Sequence, residues 1–350
     1  MKKMKKALCC LFAAILCIGA FSGCSTETGT TTGNASGEST AEKGDTAPVS
    51  GGAAMNLTIC GGSIGGAWAS IGEGTGEVIR RSFPGSNVAY EVGQEAANVA
   101  LVSSGKVDLG IAHTGLLKLA GDGAAPFNKE MDNLRAITVL YGEAAQQFII
   151  KNDLGFQTLE DIKNAQYGLK INFNTKDSFM ELVGKACLEA AGITYDDLAS
   201  WGGAVDFISM GSSLDLMRDG KIEAYSNVIQ VPSSNVVDAA TSVDLTLLNL
   251  SDDVIQKVND QLGTYKVTIP AGAYSFLKND VNTVAATVVL FASADMPDET
   301  AYNIVKAIDE NMEYFKGIHS SLSTLDLAAM QEVSPVELHP GAVKYYEEHK

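Results

Sequence analysis

Three stretches of this 350-residue chain carry residue types that could do chemistry. The first is the turn Gly61-Gly62-Ser63-Ile64-Gly65-Gly66, between an apolar run, Asn56–Cys60, and a helical pattern reaching Arg80. GxGxxG cannot be laid over it in register, and no Gly-Lys-Ser/Thr closes it, so neither a dinucleotide fingerprint nor a P-loop fits. What remains is a loop whose backbone can approach a ligand closely and offer N–H groups to an anion at a helix N-terminus. The alternative is a tight turn that binds nothing. Gly61-Gly62-Ser63-Ile64-Gly65 also matches GxSxG, the nucleophile elbow of secreted serine hydrolases, with His319 or His339 as downstream base. Against that reading, the turn follows the first strand of the folded part. No earlier strand and loop exist to supply a second oxyanion-hole amide.

The second stretch is His113-Thr114, at the end of a predicted strand Val107–Ala112, where side chains point into a cleft. A lone histidine there can be a wall residue or a ligand contact. The third pairs Ser178, the expected N-cap of a helix, with Asn227 and Gln230 beyond a strand that begins at Ile222. A capping serine is structural, yet it can also orient amides toward a carboxylate. The asparagine and glutamine can equally be ordinary loop amides.

These residues need elements to hold them. Asn56–Cys60, Asn87–Val92, Val107–Ala112, Ala136–Tyr141, Gln147–Lys151, Tyr167–Phe173, Ile222–Val228 and Thr283–Phe291 read as strands. Helices fall between them. Thr158 and Asp161 form a capping box, and Phe179, Leu182, Val183, Ala186, Cys187 and Ala190 make one buried helical stripe. Alternating βαβ units predict an α/β fold with mostly parallel sheets flanked by helices. Ligands of such sheets sit at the carboxyl ends of strands, which selects loops 61–68, 93–98, 113–116, 172–178 and 226–232.

The N-terminal 54 residues read differently. Lys2, Lys3, Lys5 and Lys6 precede an apolar run from Ala7 to Phe21, the pattern of a secretory signal over 1–23. Phe21-Ser22-Gly23-Cys24 resembles a bacterial lipobox, with Cys24 as the lipidated mature N-terminus. Residues 25–54 hold eleven Ser/Thr and six Gly, too little apolar surface to order the segment, so 24–54 reads as a tether. Losing residues 1–23 removes four lysines and no acids, which takes the formal charge from −17 to −21. A chain that acidic repels phosphate backbones, and nucleic acid is excluded as a partner. Outside the signal and Cys24, only Cys60 and Cys187 remain. They read as buried free thiols, and no metal-ligand spacing accompanies them.

Taken together, the folded residues resemble the TAXI group of solute-binding receptors, which serve TRAP transporters. The resemblance rests on GGSIGGAWASIG (61–72), EVGQEAANVALVSSGKVDLGIAHT (91–114) and PF…NLRAITVLYGE (126–143). It continues through TLEDIKN (158–164), DGKIEAYSNVIQVP (219–232), IPAGAY (269–274) and LHPGAVKYYEE (338–348). It implies a two-lobed, type II periplasmic-binding-protein-like fold with a cleft between the lobes. Lobe I would be 55–147 and 251–350, and lobe II 148–250.

The resemblance further implies a receptor, not an enzyme, without cofactor, lipid-anchored through Cys24 outside the bacterial cell membrane. It would hand a small carboxylate (glutamate, glutamine or a dicarboxylate such as 2-oxoglutarate) to a TRAP-type integral membrane permease. Gly65, Gly66 and Ala67 match the family's glycine loop, with Trp68 where a tyrosine is usual. Asn98, Asp108 and Gly110 match its second motif, and His113 and Thr114 take the site-facing strand end. Ser178 matches the serine of a Gly-Ser-Gly-Thr-like turn, but Asp177, Phe179 and Met180 replace its small neighbours. The expected ligand contacts are therefore Gly65, Gly66, Ala67, Trp68, Gln94, Asn98, His113, Thr114, Ser178 and Asn227. A ligand-binding sensor subunit with the same pocket is the alternative to transport.

Overall fold

The structure, a computed structural model, describes residues 53–350. The signal segment, Cys24 and nearly all of the tether lie outside the described residues. The first elements are β1 (Asn56–Gly61), α1 (Ala67–Ser82), β2 (Asn87–Val92), α2 (Glu95–Ser103), β3 (Leu109–His113) and α3 (Thr114–Gly121). A long strand β4 (Leu134–Lys151) leads to α4 (Leu159–Ala165), β5 (Lys170–Phe173), α5 (Phe179–Ala191), α6 (Tyr195–Ser200), β6 (Ala204–Phe207) and α7 (Met210–Arg218). Then come β7 (Ala224–Ile229), α8 (Ser234–Ala239), β8 (Leu245–Leu247), α9 (Asp252–Leu262) and β9 (Tyr265–Ile269). A second long strand, β10 (Val281–Ser293), precedes α10 (Asp298–Glu310), α11 (Met312–Lys316) and α12 (Pro340–Glu348).

The strands join in the order β2-β1-β3-β10-β4-β7-β5-β6, with β8 on β4 and β9 on β10. Each wing is parallel, as βαβ units require: β1 with β2 and β3, and β5 with β6 and β7. The middle is not. Five of the nine pairings among the described residues are antiparallel, and all five involve β4 or β10. The expectation of mostly parallel sheets is thus corrected to a curled mixed sheet. Apolar runs such as Thr283–Phe291 report burial on both faces but carry no signal for strand direction.

Ala136–Tyr141 and Gln147–Lys151, which read as two strands, are the two ends of β4. Residues 134–141 pair with the last part of β10 beside β3, whereas 145–150 pair with β7 and 149–151 with β8. Between those ends the β4–β10 ladder slips: Ala286 pairs Ala144, and Val288 pairs Tyr141. Gly142 and Glu143 therefore bulge opposite Thr287, with Glu143 at φ +55° and its N–H donating to Tyr265 Oη at 2.8 Å. Two long strands, bulged where they leave one half for the other, are the covalent bridge of a two-lobed fold.

A large apolar cluster runs through both halves, and a smaller one forms around Tyr225, Leu245 and Leu247. The smaller cluster also takes Ile269, Tyr274, Leu277 and Val281, so the chain on both sides of the expected 250/251 boundary packs into one unit. Local signals behave as read: Thr158 and Asp161 complete the capping box of α4. Among the described residues no helix is long and apolar enough to cross a membrane.

Candidate functional site

The glycine turn is held at its base and open at its tip. Asn98 Nδ2 and the Gly93 N–H both donate to the Gly61 carbonyl at 3.0 Å, and Tyr90 Oη donates to the Gly62 carbonyl at 2.7 Å. Glycine is required beneath these clamps, because a Cβ on Gly61 would stand 2.6 Å from Tyr90 Oη, and one on Gly93 would collide with Asn98 Oδ1. Burial pushes the Tyr90 phenol up to about 12, so it stays a donor. At the tip, Gly65 takes φ +82° and, with Gly66, is exposed. The Gly66 N–H donates back to the Ser63 carbonyl at 3.1 Å. Gly66 caps α1 without a side-chain hydrogen bond, which leaves the first amides of that helix, at Ala67 and Trp68, without a hydrogen-bond partner among the described residues.

Behind this loop lies a packed stack. Trp68 Nε1 donates to Tyr141 Oη at 2.9 Å, and the indole meets the His113 ring at a centroid distance of 5.3 Å. On its other side His113 stacks on Phe179 at 5.0 Å and 28°. Burial raises the pKa of Tyr141, against the lowering effect of the Trp68 hydrogen bond. Glu95 completes the stack from below. One carboxylate oxygen accepts from the His113 backbone N–H at 2.7 Å and pairs with His113 Nδ1 at 2.9 Å; the other accepts from the Phe179 N–H at 3.2 Å. Both side chains are 2% exposed. His113 Nε2 is buried with no hydrogen-bond partner among the described residues.

Across the cleft the turn 174–178 leads into α5. Asn174 donates to Asn227 Oδ1 at 3.1 Å, and Asn227 Nδ2 finds only the Met210 thioether at 3.5 Å, a weak acceptor. Asp177 sits at φ +61°. Ser178 is buried and accepts from the Glu181 N–H at 3.3 Å. Between this turn and the start of α2 lies a cavity of about 310 Å³, lined by Gln94 to Ala97, Pro126, Phe127 and Thr175 to Ser178. Lys176 is exposed on that lining, with its ammonium 5.8 Å from the Phe207 ring centroid. A larger cavity of about 550 Å³ lies between Asn152, Asp244 and the 276–281 segment and contains none of the expected contacts.

Gln94 and Ser178 line one cavity, and Glu95 on the same lining holds His113, whose ring meets Trp68; Thr114 is buried. Gly65, Gly66 and Ala67 form the neighbouring open loop. Asn98 is fully buried and braces that loop through the Gly61 carbonyl, while Asn227 lies within β7 and accepts from Asn174. The expectation that the α5 turn offers its amides to a solute carboxylate meets an occupant: the Phe179 amide already serves Glu95.

Sequence reading also missed Phe179 as a cleft-filling ring, Tyr141 and Lys176. Glu95 was within reach of the pattern. Glu95, Asn98, Val99 and Val102 recur at i, i+3, i+4 and i+7 on the buried face of α2, and a glutamate on a buried stripe must find partners.

The elbow reading fails on geometry. Ser63 is not among the residues with positive φ, although an elbow nucleophile sits on a strained turn. His339 is wholly buried as the N-cap of α12, with its Nδ1 accepting from the Gly341 N–H, and His319 Nδ1 likewise takes the Ser321 N–H. Burial lowers both pKa values. Cys60 and Cys187 are both free and buried, and burial raises each thiol, Cys60 to about 12.

The sequence of residues 59–349 matches the NMT1-like family. The chain belongs to that family. Two solved structures resemble this NMT1-like protein in fold. One is PhnD1 from Prochlorococcus marinus (MIT 9301), in complex with methylphosphonate: 13% identity, TM-score 0.53, 84% of this chain and 96% of that chain covered. The other is MatC from Rhodopseudomonas palustris, with bound malate: 12% identity, TM-score 0.53, 84% and 97% covered. No curated protein matches the chain. At these identities the likeness is one of fold: an α/β, periplasmic-binding-protein-like fold whose curled mixed sheet is flanked by helices.

Proposed function

We propose that this NMT1-like protein is an extracytoplasmic solute-binding receptor of the TAXI group, which captures a small carboxylate and presents it to a TRAP-type permease. The observation that carries the reading is the cavity of about 310 Å³, built jointly from α2 of one half and the 175–178 turn of the other. Its size suits a small metabolite. The lining offers the Lys176 ammonium beside the Asp177 carboxylate, and a Glu95 already committed to His113 and Phe179; further donors are the unpartnered amides at Ala67 and Trp68 and Asn227 Nδ2, which has only a thioether to serve. Oriented amides and one cation can hold an anion on an acidic protein, because distant surface charge is screened.

In this reading the lobes hinge at Gly142-Glu143 and Thr287, not at 147/148 and 250/251, since residues 265–281 pack with 214–247. The solute favours closure because it contacts both lobes only there. Glutamate, glutamine and 2-oxoglutarate are the leading solutes, and Cys24 is the anchor that keeps the receptor at the membrane. The fold likeness to MatC, whose structure holds malate, supports a carboxylate without naming one.

Calorimetric titration of the full chain with glutamate, glutamine, 2-oxoglutarate and malate tests the solute class. Saturable binding to at least one, weakened about tenfold by Lys176→Gln, is expected, the loss of one charge-assisted contact of about 1.4 kcal/mol. No heat with any carboxylate overturns that class.

A further inference from the structure

We propose that Glu95 is a tethered carboxylate that occupies the anion site of its own cleft, so that a solute carboxylate binds the α5 end only by displacing it. The inference rests on the receptor reading above and specifies how that site is governed.

Glu95 opens α2 in the first half of the molecule. Its buried carboxylate reaches across to the Phe179 N–H, the first amide of the 13-residue helix α5 in the second half. A carboxylate at the first turn of a helix is where an anionic ligand would lie. The same group accepts both the backbone N–H and Nδ1 of His113. Three donors from two halves thus converge on one side chain of this chain.

The surroundings fit an exchangeable occupant. The Glu95–His113 pair is roofed by Phe179 and Trp68, and the cavity that receives Gln94 and Ser178 opens directly beside Glu95. A second anion cannot share the Phe179 amide, because two carboxylates at hydrogen-bond distance in a water-poor site repel strongly. Exchange avoids that conflict. The two oxygens of a solute carboxylate can accept the same donors, and Glu95 turns out into the cavity mouth. His113 Nε2, buried and unpartnered, is a polar atom on the same ring that an incoming solute can satisfy.

Such a tether does two things. It holds the halves together when no solute is bound, and it subtracts its own affinity from that of the solute, since only the fraction with Glu95 displaced is competent to bind.

The test compares wild type, Glu95→Ala and the near-isosteric Glu95→Gln, the latter in case the alanine variant does not fold. Hydrogen exchange on the solute-free full chain should show the Phe179 and His113 amides protected in wild type, both fast in Glu95→Ala, and at least one of them fast in Glu95→Gln, whose single amide oxygen cannot serve both sides. Calorimetry with the carboxylate that wild type binds should then show affinity tighter by about tenfold or more in the variants. Weaker binding would make Glu95 a solute contact, and unchanged binding a purely structural group; either overturns the proposal. Unchanged exchange at both amides in the variants overturns it as well. If no carboxylate binds any form, the receptor reading fails, while the exchange result still decides whether Glu95 holds the halves together.

Discussion

The two strand-to-helix ends that meet at the cleft are built alike and left in opposite states. At the start of α1 the glycine turn is clamped at its base by Tyr90, Asn98 and Gly93, and its tip is exposed with unpartnered amides. At the start of α5 the first amide is taken by Glu95, and the neighbouring Phe179 is wholly buried against His113. The difference shows that a helix N-terminus at a strand end is not in itself a vacancy. Whether it is open depends on what the facing half supplies, and here the facing half supplies a carboxylate and an imidazole.

Four substitutions break or sharpen that contrast, in descending order of effect. Glu95→Ala should cost about 3–5 kcal/mol of stability, because it leaves a buried imidazole and two amides without their acceptor. His113→Ala should cost a similar amount, and the double variant clearly less than the sum of both. Urea titration with an unchanged slope checks this, and additive costs would mean that the two groups do not act as a pair.

Gly115→Ala comes next. Its new Cβ would collide with the Phe179 ring and the Leu262 carbonyl, an overpacking cost of about 1–3 kcal/mol. In a Phe179→Ala background part of that cost should vanish, and the backbone contact should retain the rest. An undiminished cost would place the strain at Leu262 alone. Gly65→Ala should do least, about 1 kcal/mol, since only its positive φ resists a side chain and nothing lies within 4 Å of the new Cβ. A drop in Tm as large as that of Gly115→Ala would show that the glycine tip is as packed as the α5 end, and the contrast would be lost.

Much of the frame was legible in the sequence. The buried stripe of α5 appears over Phe179–Ala191, and the capping box of α4 is present. What could not be read was direction. Ala136–Tyr141, Gln147–Lys151 and Thr283–Phe291 are apolar on both faces, and that pattern is the same for a parallel wing strand and for an antiparallel strand crossing between halves. The site shows the same limit. Loops at strand ends are where ligands sit, which selects Gln94, His113 and Ser178 from the sequence, whereas Glu95 reads there as one more acid in an acidic chain. Its spacing with Asn98, Val99 and Val102 carried the information, but its partner in α5 is 84 positions away, beyond any local pattern.

The position of β10 has a kinetic consequence. It is the last strand in the chain, yet it inserts between β3 and β4, with Val288 beside His113. Everything between those two residues must loop out before the first half can complete its sheet, and closing so long a loop is entropically slow. The second half needs only the near ends of β4 and β10 for its own pairings. The order of assembly therefore runs against the order of synthesis. The strand end that carries His113 is translated early, but it gains its neighbour only when the final strand arrives.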